Sequence, residues 1–473
     1  MRYIAQMNIA YFRKIPHIYP SVIVRWFVII GVLGLSLGLG YRSSSQLARL
    51  AGFGLAVVPF ILLFLRWPPV GLMVLVFASM LVPFSIGTGT QTSLNAPIII
   101  LTALLVLWNL DMIVLHQKVR ILPSKTFLPL FALVVAAVIS FLVGELQWFV
   151  FMRGASLFAK IGGLLIILLS VGIYLLIAHQ ISDLMWLKRI TWVFIVFGSI
   201  FVIGVLIPES KDFVNGVFQR GVRGSIFWVW FVAICFSQAL LNSELKGYIR
   251  LLLLVLVACS LILNMGLGRN WASGWLPSLV VILTILLLVK PKSAVVLSIA
   301  IFLLGIIFYS QIENFVMAGG QEYSLITRVE AGKILWEIIK VNPLFGLGPA
   351  NYYWYTQLFP ILGWYVTFNS HNQYVDIVAQ FGLLGLGFFL WFVWEVWRLG
   401  WRLKNKVLTG FPKAYVYGAL GGLIGTLAAG MLADWFLPFI YNVGIQGISH
   451  SMFAWLFLGG LVSLEFIYLH SQE

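Results

Sequence analysis

Residues 190–207 have the sequence ITWVFIVFGSIFVIGVLI, and none of these side chains carries a charge. A helix of about 20 apolar residues crosses the hydrocarbon core of a bilayer. No water is present there to bond the backbone, so a helix, which satisfies its own N–H and C=O groups, is favoured. This stretch therefore predicts a transmembrane helix.

About thirteen further apolar segments predict the same structure. Over all 473 residues, 61% are hydrophobic and 10% are charged, with a mean hydropathy of +1.02. A soluble protein has about 25% charged residues. We therefore expect an all-α polytopic membrane protein with about 12–14 transmembrane helices. The further segments lie near 22–40, 47–65, 70–86, 97–115, 127–143, 158–178, 225–241, 248–265, 275–289, 293–310, 374–398, 414–432 and 452–469.

The distribution of lysine and arginine predicts the orientation. Most of the 30 Lys and Arg residues lie on the cytoplasmic side if the N-terminus is cytoplasmic, as the positive-inside rule requires. Both termini are then cytoplasmic, and the chain has three parts: N-terminal transmembrane helices at 1–310, a long extracytoplasmic loop at 311–373, and C-terminal transmembrane helices at 374–473. The net charge of +15 reflects this topology and attraction to anionic lipid headgroups, and it does not indicate a nucleic-acid partner.

The long loop is predicted to contain an amphipathic helix at the membrane surface. Residues 325–340 have the required pattern, with Ser324 as a possible N-cap. The helix must end at Asn342-Pro343, and Gly346 and Gly348 permit a tight turn. The predicted apolar face comprises Leu325, Val329, Trp336 and Ile339.

A group of aromatic residues follows the turn. Two interpretations stay open at this point. The first is an aromatic belt at the membrane–water interface, where Trp and Tyr are enriched. The second is a platform for sugar rings, whose C–H faces pack on aromatic side chains. The residues are Tyr352, Tyr353, Trp354, Tyr355, Trp364 and Tyr365.

Several arginines lie on the predicted outer face, where positive charge is disfavoured. Arg220, Arg223 and Arg269 are candidates for a phosphate or diphosphate site, because guanidinium groups match phosphate oxygens bidentately. Arg220 and Arg223 are three residues apart and would share one face of a helix. Alternatively, these side chains extend to lipid headgroups or form ion pairs. The available acids are Glu145, Glu209, Asp212 and Glu330.

His371 is the candidate catalytic residue. Of the six histidines, only His371 and His450 are predicted to lie outside. A histidine with a pKa near 6.5 can remove a proton from an attacking hydroxyl. Asp376, in the first turn of the following helix, is a possible orienting carboxylate, although acids are favoured at helix N-termini in any case.

The sequence lacks the usual motifs for nucleotide or metal chemistry. It contains no P-loop, no acidic pair of the Asp-x-Asp type, and neither a Cys-x-x-Cys nor a His-Glu-x-x-His motif. We therefore expect no metal and no cofactor. If a phosphate leaving group is stabilised, arginines must do so.

The segment HNQYVDIVAQFGLLG, residues 371–385, resembles the O-antigen ligases. In that family a His is followed by Asn, Ser or Gln, then by nine residues of any type, and then by Gly-x-x-Gly, with Thr or Tyr as alternatives to the last Gly. His371-Asn372 and Gly382–Gly385 have this spacing. The wider O-antigen ligase and polymerase superfamily has an Arg before an amphipathic helix, as at Arg328, and then a turn similar to NPLFGLGPANYY, residues 342–353. The resemblance covers about residues 220–390. It departs at Gly268, where a Ser or Thr is expected before the loop arginine.

This resemblance implies a metal-independent, inverting membrane glycosyltransferase with a GT-C-like fold in the bacterial inner membrane. His371 would deprotonate an acceptor hydroxyl that attacks an undecaprenyl-diphosphate-linked glycan. Arg220, Arg223 and Arg269 would bind the diphosphate, while Arg328 and Asn372 would contribute to substrate binding. The implied acceptor is lipid A–core or another glycan.

Three other functions remain open at this point. A polymerase would use a second lipid-linked repeat as its acceptor, and an O-oligosaccharyltransferase would use a protein Ser or Thr. A transporter or lipid flippase would explain many helices without catalysis, although transporters often have repeated halves or charges deep within their spans, and the sequence shows neither.

Overall fold

The computed structural model describes residues 64–87, 93–267, 272–307, 321–407 and 409–470, together with residue 309. The chain divides into two compact units, Met1–Pro68 and Pro69–Glu473. The elements below lie in the second unit, apart from the first residue of α1.

The described part of the second unit is almost entirely helical, with one two-stranded antiparallel hairpin. Its helices are α1 (Pro68–Leu81), α2 (Ala96–Leu110), α3 (Phe127–Val143), α4 (Leu157–Gln180), α5 (Leu184–Leu206), α6 (Pro208–Val217), α7 (Ser225–Leu241), α8 (Gly247–Ile262), α9 (Ala272–Val289), α10 (Pro291–Ile307), α11 (Gln321–Ile339), α12 (Tyr352–Tyr355), α13 (Gln373–Lys406), α14 (Gly410–Leu432) and α15 (Ile448–His470). The strands are β1 (Ser85–Gly87) and β2 (Ser93–Asn95).

The prediction of an all-α polytopic membrane protein is confirmed. Eight described helices are long and apolar enough to cross a membrane, and α1, α3 and α7 are shorter apolar helices. Twelve of the predicted spans coincide with a described helix. One of these is the span at 293–310, which coincides with α10. The predicted spans at 22–40 and 47–65 lie outside the described residues.

The helix α7 lies at the centre of the bundle, where it packs against α14, α9 and α8. Nearly all of its side chains are buried. Glycines of α14 permit the close approach: a Cβ on Gly422 would lie 2.6 Å from the Trp230 ring, and one on Gly418 would lie 2.5 Å from Ser237 Oγ. The Trp230 indole also donates to Thr426 Oγ1 at 3.1 Å. Small residues and interhelical hydrogen bonds of this kind hold helices together in membranes.

The helix α13 is interrupted at Gly382, which has φ +70° and ψ −174°. The interruption frees backbone groups that pair with the turn after Asn342-Pro343. Leu383 N–H donates to Pro343 O at 2.8 Å, and Leu347 N–H donates to Ala379 O at 2.9 Å. Backbone polar groups at membrane depth need such partners, because lipid offers none.

Two glycines of the sequence motifs make this pairing possible. A Cβ on Gly382 would lie 2.1 Å from Leu344 O, and one on Gly346 would lie 2.4 Å from Gln380 O. Both residues also have positive φ, a conformation that glycine adopts without steric cost. The tight turn at 342–348 is present as predicted, and its partner is the broken helix.

The helix at 325–340 is present but differs from the prediction. It begins at Gln321, so Ser324 lies inside its first turn and is not the N-cap. The buried face comprises Ala331, Leu335, Ile338 and Ile339. Val329 and Trp336, which were predicted to share the apolar face, are 53% and 56% exposed.

Candidate functional site

His371 directly precedes α13 and has a left-handed backbone conformation, with φ +48°. Few residues other than glycine adopt positive φ, and such outliers concentrate at functional sites. Its side chain is exposed. The next residue, Asn372, is the N-cap of α13: its Oδ1 accepts from Tyr374 N–H at 3.0 Å and from Val375 N–H at 3.3 Å.

The C-terminal end of α14 brings His371 together with two other predicted site residues. Asn372 Nδ2 donates to Met431 O at 3.3 Å, and Arg328 Nη1 donates to Leu432 O at 2.8 Å. The last carbonyls of a helix lack partners within the helix, so they are available for such contacts. We call His371, Asn372, Arg328 and these two carbonyl groups the His371 cluster.

The electrostatics of the cluster favour a neutral imidazole. Partial desolvation lowers the pKa of His371 below its usual value, and the positive charge of Arg328 lowers the pKa further. A histidine that is neutral near pH 7 can accept a proton from a hydroxyl group. The cluster therefore has the properties of a general-base site.

Asp376 does not contact His371 directly. Its Oδ1 accepts hydrogen bonds from the hydroxyls of Tyr352 and Ser370, the latter at 2.7 Å. Tyr352 is fully buried, and burial together with the carboxylate of Asp376 raises the pKa of its phenol well above the usual value. The role of Asp376 as an orienting carboxylate stays a prediction, and its hydrogen bonds run to Tyr352 and Ser370.

The aromatic residues of the loop divide into two sets. Tyr352 stacks on Phe439 with ring centroids 4.9 Å apart, and Tyr353 stacks on Tyr441 at 4.6 Å. These residues pack the loop against the segment between α14 and α15. Trp364 and Tyr365 are instead 71% and 68% exposed, so these two remain available to lipid or sugar.

Arg220 and Arg223 do not share a helix face. They lie in a short 3₁₀ turn, Arg220–Val222, with Arg223 as its C-cap. The Arg223 guanidinium donates to Asn215 O at 2.6 Å and to Phe218 O at 3.2 Å. Arg220 is exposed, and its guanidinium group forms no hydrogen bond or ion pair with the other described residues.

Arg220 lines a polar cavity of about 200 Å³, which we call the Arg220 cavity. The N-terminal ends of α2 and α15 border it through Asn95 and Ser449. Helix N-termini carry partial positive charge, and no Asp or Glu lines the cavity. An anionic group therefore suits it. The remaining lining residues are Ala78, Ser79, Val82, Pro83, Phe84, Ser85, Ser93, Pro97, Gln219 and Gln446.

The proposed ion pairs of the arginines are not found among the described residues. Glu145 pairs with Lys160 at 2.6 Å, and Glu330 pairs with Lys333 at 2.6 Å. Arg269 lies outside the described residues. No group of three or more His, Cys, Asp or Glu side chains able to hold a metal ion occurs within the described part of the chain.

Two further residues near these sites form buried contacts that the sequence did not predict. Gln373 is 2% exposed, and its Oε1 accepts from the N–H groups of Phe436 and Leu437, at 3.0 and 2.8 Å. His450 is 6% exposed and its ring contacts Trp435 at 5.2 Å. The position of Gln373 directly after His371-Asn372 could have indicated a residue near the site. Its hydrogen bond to Phe436, 63 residues away, could not be predicted from the sequence.

Residues 250–390 match the family model described as O-antigen ligase. The matched segment contains Arg328, the turn at 342–348, His371, Asn372 and the break at Gly382. The resemblance to the O-antigen ligase superfamily is thereby confirmed over this segment. No curated protein matches the chain.

Proposed function

We propose that this protein is a metal-independent, inverting glycosyltransferase that moves a glycan from an undecaprenyl-diphosphate carrier to an acceptor hydroxyl. The family match supports an O-antigen ligase or polymerase type of glycan processing. The observation that carries the finer proposal is His371: an imidazole directly before a membrane helix, on a left-handed backbone, with a pKa lowered by partial desolvation and by Arg328.

In the proposed reaction His371 accepts the proton of the acceptor hydroxyl. The acceptor oxygen then forms a bond to the anomeric carbon, and the bond from that carbon to the diphosphate oxygen breaks. Attack from the face opposite to the leaving group inverts the configuration. Undecaprenyl diphosphate leaves with the bonding electrons, and arginine side chains stabilise its negative charge.

The Arg220 cavity supports the position of the diphosphate in this proposal. Arg220 presents donors without a protein partner among the described residues, at the ends of two helices whose dipoles favour an anion. Arg223 and Arg269 would complete the binding site, and Arg328 and Asn372 would hold the glycan or acceptor beside His371.

The proposed location is the bacterial inner membrane, with both termini in the cytoplasm and the His371 cluster on the outer face. The distribution of Lys and Arg supports this orientation. The preferred acceptor is lipid A–core, which would make the reaction O-antigen ligation.

The test is a reconstitution of the purified protein in liposomes with an undecaprenyl-diphosphate glycan and EDTA, with and without lipid A–core. We expect release of undecaprenyl diphosphate and addition of one glycan to the core. A ladder of products formed without the core would identify a polymerase, and transfer to a protein hydroxyl would identify an O-oligosaccharyltransferase. Movement of the lipid-linked glycan across the bilayer without any release would contradict glycosyl transfer.

A further inference from the structure

The backbone of His371 requires an explanation, because a residue with a Cβ seldom has φ near +48°. Such a conformation persists only where surrounding contacts fix it. The contacts of Asn372 fix the chain after His371. A second set of contacts, through Ser370, fixes the chain before it.

Ser370 bridges across His371. Its Oγ accepts from Asn372 N–H at 2.9 Å, and it lies 2.7 Å from Asp376 Oδ1. Because the N–H group belongs to the residue after His371, this hydroxyl closes a turn with His371 at its centre. The hydrogen bond to Asp376 Oδ1 fixes the position of this hydroxyl.

Asp376 is energetically unfavourable at this position. It is 1% exposed, and its Oδ2 has no hydrogen-bond partner among the described residues. A second buried carboxyl, that of Asp434, is close enough to interact with it electrostatically. A buried carboxyl group without full compensation is destabilising, and an apolar side chain of similar size would cost less.

The contacts of Asp376 show what this residue does. Tyr352 donates to Oδ1, and the Ser370 hydroxyl has two acceptors within reach, the same Oδ1 at 2.7 Å and Asn372 O at 2.8 Å. Tyr352 is itself 0% exposed and stacks on Phe439, so it is a rigid support. Asp376 thus connects the packed interior of the loop to the residue that precedes His371.

We propose that Asp376 is a positioning residue that acts through Ser370 and Tyr352 to hold His371 in its left-handed conformation beside Arg328. This inference rests on the proposed function of His371 as the general base. Among the described residues, Arg328 is the charged group that acts on His371, whereas Asp376 is bonded to Ser370 and Asp434 interacts with Asp376.

The test measures His371 itself and needs no substrate. The purified full-length protein is treated with diethyl pyrocarbonate between pH 5 and 8, and mass spectrometry follows modification of the peptide that contains His371. The midpoint of the pH profile reports the pKa of this histidine. In the wild-type protein we expect a midpoint below about 6.5, the value of an unperturbed histidine.

Asp376→Leu is expected to raise both the midpoint and the rate of modification. Without the carboxylate, the loop releases His371 from Arg328 into water, and both causes of the lowered pKa weaken. Asp376→Asn retains the Oδ1 acceptor and is expected to restore the wild-type profile. Ser370→Ala is the second, milder variant, in case Asp376→Leu does not fold, and it is expected to shift the midpoint in the same direction.

The result that would overturn the proposal is a folded Asp376→Leu or Ser370→Ala protein with a wild-type midpoint and rate. In the transfer assay, Asp376→Leu is expected to lose about a hundredfold in kcat/KM, the effect of a displacement of about 1 Å, and Ser370→Ala is expected to lose less. Failure of the proposed function is separately visible, because His371→Ala would then remain active while the modification profiles still shifted.

Discussion

The His371 cluster and the Arg220 cavity differ in how their polar groups are satisfied. In the cluster, Arg328 and Asn372 are bonded to carbonyl groups at the end of α14, and the backbone of His371 is held in a rare conformation. In the cavity, Arg220 has no such partner among the described residues.

In the proposed mechanism, this difference separates the group that transfers a proton from the group that binds an anion. A group that takes part in proton transfer must be held in place before the substrate arrives, so its neighbours are occupied with one another. A group that binds an anion must keep its donors available. We therefore expect mutations in the cluster to lower kcat, and mutations in the cavity to raise KM.

The most severe test of this division is His371→Ala. Removal of a general base costs about a hundred- to ten-thousand-fold in rate, and we expect that loss in kcat with donor binding unchanged. His116→Ala is the matched control, because His116 lies in a separate turn and is bonded to Asp111 O. Turnover of His371→Ala at the wild-type rate in liposomes would remove the residue from the mechanism.

Gly382→Ala should destabilise the pairing between the break in α13 and the turn at 342–348. The added Cβ would lie 2.1 Å from Leu344 O at a position with φ +70°, and we expect a loss of about 3 kcal/mol in stability. Gly387→Ala, in the same helix, is the control, since a Cβ there meets nothing within 4 Å. Thermal unfolding in detergent measures both, and equal melting temperatures would mean that the break in α13 is not required.

Arg220→Lys tests the cavity. It retains the positive charge but loses the planar fork that matches diphosphate oxygens. We expect KM for the lipid-linked donor to rise about tenfold with little change in kcat, since a charge-assisted hydrogen bond contributes about 1.5–3 kcal/mol. Arg120→Lys, at an exposed arginine on the predicted cytoplasmic side, is the control. A fall in kcat at constant KM in Arg220→Lys would contradict the prediction that the cavity contributes to binding and the cluster to the rate.

The parts that sequence could predict are those fixed by local pattern. Apolar segments gave the helices, because length and composition alone determine whether a segment can cross a bilayer. Asn342-Pro343 and the two glycines predicted the turn at 342–348, because proline ends a helix and glycine permits backbone conformations that other residues rarely adopt. His371 was predicted as the candidate catalytic residue from its position next to a helix and from the family resemblance.

The parts that sequence could not predict depend on tertiary contacts. Gly382 lies inside an apolar run whose composition indicates an uninterrupted helix, and only its pairing with residues 343–347 produces the break. Arg220 and Arg223 have the spacing of a shared helix face, yet the chain forms a 3₁₀ turn there. The Arg223 guanidinium is bonded to two carbonyl groups, whereas Arg220 lines the cavity. Asp376 has the position of a helix-terminus acid, and its buried contacts to Tyr352 and Ser370 come from packing.

The finest test of the comparison is the pH dependence of Arg328→Gln. The proposed base works when it is neutral, so kcat/KM is expected to be lost as the pH falls through the pKa of His371, which lies below its usual value partly because of Arg328. Without that positive charge protonation becomes easier, and the acid limb of the profile should move to higher pH. Arg220→Gln should lower kcat/KM without moving the limb, since Arg220 does not contribute to the pKa of His371. An acid limb that stays in place in Arg328→Gln would show that the cluster does not tune its histidine.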